Sequence, residues 1–324
     1  MCTAAAYRTG SLYFGRTLDY DFSYGSSVVI TPRSHVFKLR SGTVVNRHHA
    51  LIGMATVMDD YPLYYEAMNE KGLCMAGLNF VGNAVYRSPK DGMLNLTQFE
   101  LIPYILGTCG SVAEVRRAAE KLNVTDLAFS DGLPLAQLHW MIADGKETVI
   151  LESTADGVFL YDDPAGVMTN NPPFPQQLLN LSDYQQLSPR EPENRLSGAL
   201  SFDRYSRGLG GVGLPGDLSS RSRFVRAAFV NLNSVSGDSE EESVNQFFHI
   251  LGSVDQQRGC CELEPGKYEI TLYTSCLSPK TATYYYTTYE NHQISAVTLR
   301  NELADGDRLL VYPLVTGEKI FRQN

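Results

Sequence analysis

A chain of 324 residues with 43% hydrophobic content is long enough to bury a sizeable core as one large domain or two modest ones. A net charge of -9, with no basic tract longer than a pair or so, excludes nucleic acid as the main partner, because phosphate binding needs clustered Lys and Arg to displace counterions. No stretch approaches the ~18 consecutive apolar residues of a membrane span, and MCTAAAYRTG has no basic region leading into an apolar run, so a cytoplasmic chain off the membrane is expected.

In chain order, Ser11–Phe14, Ser27–Thr31, Ala50–Val57 and Leu73–Phe80 read as strands, several of them apolar on both faces, which predicts a sheet covered above and below. Ser111 with Glu114 forms a capping box, and Val112, Val115, Ala118, Ala119 and Leu122 follow at helical spacing. His139–Ala143, Thr148–Glu152 and Gly157–Tyr161 read as a meander turning at Asp144-Gly145 and Asp156-Gly157. A Pro-rich stretch and the glycine loop Gly208–Gly216 precede two helices, one beginning near Arg221 and one at Ser239, again with Glu three residues on. A second meander, Ile270–Tyr273, Ala282–Thr288 and Ile294–Thr298, is rich in Tyr and Thr. With no repeat and no sharp break in composition, residues 1–324 read as a single layered unit with sheets inside and helices outside.

Cys2 is the first unusual feature, because loss of Met1 would leave a free α-amine beside a thiol. A terminal amine titrates near ~7.7–8.0, close to working pH, so one residue would carry both nucleophile and base. Taken alone, a second-position cysteine is more often incidental. Gly15-Arg16-Thr17-Leu18-Asp19 then supplies a strand-turn that would pair with the chain start as a hairpin, bringing the Arg16 cation to the thiolate and Asp19 to the terminal ammonium. An ordinary surface ion pair is the bland alternative. Asn79 and Asn170 each end an apolar run, where asparagine is usually turn chemistry but where an amide donor to an oxyanion would also stand.

These segments occur together and in order with DDYP at Asp59–Pro62, MNEKGL at Met68–Leu73, TNNP at Thr169–Pro172, GLPGD at Gly213–Asp217, SRF at Ser222–Phe224 and YTSC at Tyr273–Cys276. As a set they resemble the choloylglycine hydrolases, the branch of N-terminal nucleophile hydrolases that contains bile salt hydrolases and penicillin V acylases, from Met1 to the last strands. The resemblance implies an α+β, four-layer αββα fold with two stacked antiparallel sheets, removal of Met1, no metal or organic cofactor, and a homotetramer. It places the nucleophile on Cys2, the thiol-contacting arginine on Arg16, the amine-contacting aspartate on Asp19, the oxyanion and amide-positioning asparagines on Asn79 and Asn170, and a second active-site arginine on Arg223. Asp21 does not match.

Asparagine at position 79 resembles the bile-salt-cleaving members, whose partners are conjugated bile salts, rather than penicillin acylases. The family's apolar steroid contacts fall on Leu18, Met58, Tyr65, Phe129 and Leu133, and Ser206-Arg207-Gly208 resembles members favouring glycine over taurine conjugates. A Met or aromatic in a loop is more often local packing. The rival readings are a penicillin V acylase, a steroid-binding protein lacking the chemistry, and a zinc site on Cys260, Cys261 and Cys276. The last lacks any CxxC or HExxH spacing, and His139 and His249 read as packed or solvated residues.

Overall fold

The computed structural model describes residues 1–324. Two antiparallel sheets form its centre. One has six strands in the order Val167–Met168, Cys2–Arg8, Leu12–Tyr20, Ile270–Ser278, Thr283–Thr288, Asn291–Thr298. The other has eight, in the order Gly157–Asp162, Thr148–Thr154, Leu138–Ala143, Cys74–Asn79, Tyr61–Asn69, Leu51–Met58, Ser27–Thr31, Leu310–Pro313. The sheets face one another across a core that includes Phe14, Ile52, Met68, Leu78 and Leu277. Helices Ser220–Asn233 and Glu240–Gly252 cover the outer face of the six-stranded sheet. Helices Leu101–Thr108 and Val112–Ala119 cover the outer face of the eight-stranded one around Leu73, Met75, Ile105 and Trp140. The result is the four-layer αββα arrangement, and it explains the doubly apolar strands, since the central strands of both sheets are covered on both faces.

The sequence and structure differ at several boundaries. The strand beginning at Leu12 runs without a turn through Arg16 to Tyr20, because Gly15 lets the next strand approach: a Cβ there would lie 2.0 Å from the Ser275 carbonyl oxygen. Leu122 does not close the helix after Ser111. That helix stops at Ala119, and Leu122–Thr125 pairs in parallel with Leu94–Thr97. The Ser111 hydroxyl caps Glu114 N–H, but the Glu114 carboxylate reaches past Ser111 to Gly110 N–H at 2.6 Å, so the box is half formed. The full capping box is at Ser239 and Glu242. Tyr61–Asn69, Leu101–Thr108 and Phe174–Leu181 lie outside the expected elements. The first follows a two-residue turn in which Asp59 and Asp60 both take positive φ, 50° and 57°, so the DDYP motif is a type I′ hairpin turn joining Leu51–Met58 to Tyr61–Asn69.

Candidate active site

The hairpin of Cys2–Arg8 with Leu12–Tyr20 fixes who can meet whom. Its register sets Cys2 opposite Leu18, Ala4 opposite Arg16 and Ala6 opposite Phe14, so these side chains share the face turned to the eight-stranded sheet. Arg16 lies diagonally from Cys2 on that face, within reach of a long side chain. Its guanidinium donates from Nη2 to Cys2 Sγ at 2.5 Å, from Nη1 to the Gly77 carbonyl at 2.5 Å on the facing sheet, and from Nε to Thr17 O at 3.2 Å. Cys2 and Arg16 are 2% and 1% exposed, which makes this a desolvated cation held on a thiol. Burial alone lowers the pKa of Arg16, but the charges of Cys2, Tyr273, Glu66 and Asp19 outweigh it and raise it above its ordinary value. Arg16 is therefore a permanent cation at the thiol, a microenvironment suited to a thiolate.

The opposite face of the same hairpin carries Thr3, Thr17 and Asp19 toward the helix layer. Asp19 accepts from Thr17 Oγ1 at 3.2 Å and from Thr271 Oγ1 at 2.7 Å. Burial raises its carboxyl above the usual range, opposed by Arg223, the chain's α-ammonium and Thr271. With Met1 in place, the α-ammonium donates to the Asp19 backbone carbonyl at 2.7 Å and to Glu269 Oε1 at 2.5 Å.

Asn170 follows the edge strand Val167–Met168 in the TNNP segment, whose Asn171–Pro172 bond is cis. Its Oδ1 accepts from Cys2 N–H at 2.8 Å and from Arg223 Nη2 at 2.8 Å, while Nδ2 donates to the Asn79 carbonyl at 2.8 Å. One side chain thereby ties the six-stranded sheet to the C-terminal end of Cys74–Asn79 in the other, where the Asn79 side chain stands half-buried. Arg223, from the helix beginning at Ser220, completes the set by donating through Nη1 to Cys2 O and Thr3 Oγ1, both at 2.6 Å. Burial lowers the Arg223 pKa, opposed by Asp19, Cys2 and Glu269.

Of the six residues singled out in the sequence, Arg16 donates to the Cys2 sulfur, Asn170 and Arg223 bond the Cys2 backbone, Asn79 is joined to Asn170 through its carbonyl, and Asp19 lies on the opposite face of the hairpin. The structure adds Glu66, Glu269 and Thr271, none of them flagged by a motif. It also adds His139, which is buried and stacked on Phe80 at 4.3 Å, with Nε2 donating to Thr169 O at 2.8 Å beside Asn170 and Nδ1 facing Glu152 Oε1 at 3.1 Å. His249 is exposed.

The five apolar positions are less tightly grouped. Leu18 lines an open cavity of ≈ 200 Å³ with Ile270, Leu272, Tyr273 and Leu314. Tyr65 packs against the inter-sheet core and its hydroxyl meets Thr56 Oγ1 at 2.9 Å. Met58 is 36% exposed at the hairpin tip. Leu133 is half-buried in a loop, and Phe129 packs with Tyr61 and Phe99 at 5.6 and 5.1 Å, with the Arg40 guanidinium over its ring.

Residues 2–312 match the family model described as linear amide C-N hydrolases, choloylglycine hydrolase family. The chain is 50% identical over 324 residues to a bile salt hydrolase/transferase of Lactiplantibacillus plantarum, covering 100% of both chains. Among solved structures it is similar to a conjugated bile acid hydrolase from Clostridium perfringens, with a TM-score of 0.91 and 35% identity over 100% of each chain. The penicillin V acylase from Agrobacterium tumefaciens shares the fold at a TM-score of 0.78 and 18% identity, over 97% of this chain and 92% of that one. A thiol gripped by a buried arginine at the start of a four-layer αββα sandwich, matched along its length by this family, makes the chain a member of the choloylglycine hydrolase family of linear amide C–N hydrolases.

Proposed function

We propose that the chain is a bile salt hydrolase that cleaves the amide joining a bile acid to glycine or taurine, with Cys2 as nucleophile once Met1 is removed. The observation that carries this reading is the Cys2–Arg16 contact at 2.5 Å, with Cys2 N–H, Arg223 and Asn79 O all held by the single side chain of Asn170. The names of the relatives, bile salt hydrolase/transferase and conjugated bile acid hydrolase, support the substrate class.

In this reading the Cys2 thiolate attacks the amide carbon and forms a C–S bond. The carbonyl electron pair moves onto oxygen, facing the amides of Asn79 and Asn170. As the C–N bond breaks, the Cys2 α-ammonium gives a proton to the leaving nitrogen, and glycine or taurine departs from a thioester. The neutral amine then takes a proton from water, the resulting hydroxide adds to the thioester, and the thiolate leaves. Asp19, with Arg223 and Thr271 behind it, keeps the amine's surroundings anionic, and Arg16 holds the thiolate. Leu18 and the largely apolar cavity it lines suit a rigid apolar ligand, with Tyr65, Met58, Phe129 and Leu133 as further steroid contacts. Residues 1–324 act as one domain, and the active form is a homotetramer in the cytoplasm.

The test is release of free glycine and taurine from matched conjugated bile salts by purified enzyme, with penicillin V and Cys2→Ala in parallel. The expected result is fast release from bile salts, lost in a Cys2→Ala protein that still folds, since the change is small and near the chain start. Cleavage of penicillin V alone would overturn the substrate reading, and activity in Cys2→Ala would overturn the mechanism.

A further inference from the structure

Glu66 is a carboxylate fully buried between the two sheets, in a strand whose neighbours on both faces are apolar. An isolated charge in such a place is stable only if it is paired and its oxygens are hydrogen-bonded. Both oxygens have partners. Tyr273 donates to Oε2 at 2.8 Å, Tyr284 donates to Oε1, and Arg16 Nε lies 3.8 Å from Oε2. Tyr273 faces the eight-stranded sheet because it is paired with Leu18, and so stands beside Cys2 and Arg16 on the same face. The guanidinium therefore has an acidic group at each end: the Cys2 thiol on Nη2 and the Glu66 carboxyl beyond Nε.

We propose that Glu66 is a positioning residue that shares the Arg16 charge with Cys2, so that the grip of the guanidinium on the thiolate is set by a carboxylate the substrate never touches. The inference rests on Cys2 being the nucleophile. The other groups around the pair are Asp19, the hydroxyls of Tyr65, Tyr273 and Tyr284, and, beyond Asp19, Arg223, Glu269 and the α-amine. None of these changes when Glu66 is replaced by its amide, so the difference between parent and variant isolates one charge. Glutamine can still accept from one tyrosine and donate to the other. Burial pushes the Glu66 carboxyl up, and Arg16, Tyr284 and Tyr273 oppose this, so removing a tyrosine donor also weakens the anion.

The experiment is the pH dependence of iodoacetamide alkylation, followed by mass spectrometry on the N-terminal peptide so that the exposed Cys260 does not contribute. With one counter-charge gone, Arg16 belongs to the thiolate alone. The alkylation midpoint of Glu66→Gln should fall by about 1 pH unit, the scale on which one nearby charge moves a titration. Tyr284→Phe, which keeps the ring and removes one donor, should move it a smaller distance in the same direction. An unmoved midpoint in a folded Glu66→Gln protein overturns the proposal. Should that variant not fold, an unmoved midpoint in Tyr284→Phe does so. Absence of alkylation at Cys2 in the parent protein would instead overturn the assignment of the nucleophile.

Discussion

Replacing Asn170 with Asp keeps one end of the side chain and inverts the other. The Oδ1 acceptor that takes Cys2 N–H and Arg223 Nη2, both at 2.8 Å, remains and becomes charged. Its bond to Arg223, already charge-assisted in the parent because the guanidinium is ionised, then joins two ions, a gain of about 1 kcal/mol. The Nδ2 donor, 2.8 Å from the Asn79 carbonyl, becomes an oxygen facing an oxygen, at a cost of about 1–3 kcal/mol. The two effects partly cancel, so the melting temperature should move by only a few degrees. Catalysis has no such compensation. Loss of one donor to a developing oxyanion costs about 10²–10³ in kcat, and a fixed negative charge beside that oxyanion adds to the loss. Asn170→Ala is the contrast, because it also orphans Cys2 N–H and Arg223 Nη2 and should lose about 3 kcal/mol of stability besides activity. Steady-state release of glycine from a glycine-conjugated bile salt, measured beside thermal unfolding, separates the cases. An Asn170→Asp enzyme with kcat within about tenfold of the parent refutes the donor role.

Gly15→Ala places a methyl 2.0 Å from the Ser275 carbonyl oxygen and 3.0 Å from the Phe247 ring, so the central strands must part; a loss of about 3 kcal/mol is expected by thermal or urea unfolding, and an unchanged midpoint refutes it. Ser239→Ala removes a cap whose two arms, Glu242 N–H on Ser239 Oγ and Ser239 N–H on Glu242 Oε2, are both 3.1 Å long, and should lower stability by about 1 kcal/mol. Asp163 gives a pH dependence. Burial raises its carboxyl to about 7, against hydrogen bonds from Ala165 and Gly166 N–H at 2.9 Å each. A carboxyl raised in the folded chain binds its proton more tightly folded than unfolded. Its contribution is full below the unfolded value of roughly 3.9 and is lost as pH rises to about 7. The melting temperature of Asp163→Asn relative to the parent should therefore climb between pH 4 and pH 7, and a pH-independent difference would refute the assignment.

The site was legible in the sequence where it is local. Cys2 and Arg16 sit on two strands joined by a short turn, so their meeting follows from register alone. Asn170 and Arg223 were reached through family motifs, and no property of the chain's spacing indicated that both would close on Cys2 from a distant loop and helix. Glu66 did leave a signal: a lone carboxylate among Tyr64, Ala67 and Met68, on a strand dry on both faces, has to find a buried cation. Which cation depends on how the sheets stack, and that is a long-range property. Of the apolar positions, Phe129 shows the limit most plainly, because its ring packs with Tyr61 and Phe99 on the helix-covered side while Leu18 belongs to the inter-sheet core. The helix ended short of Leu122 because a strand partner, Leu94, claimed that residue.

Arg16 and Asn170 each hold both sheets at once, one through Gly77 and the other through Asn79. The site around Cys2 is therefore riveted across a slip plane. A small shear of one sheet over the other stretches these two rivets while every ladder bond within each sheet keeps its length. Turnover becomes a strain gauge for how well the sheets mate. Substitutions at Ile52, Met68 or Leu277, buried in the layer between the sheets, should depress kcat in step with the displacement they impose, although none of them needs to touch the substrate.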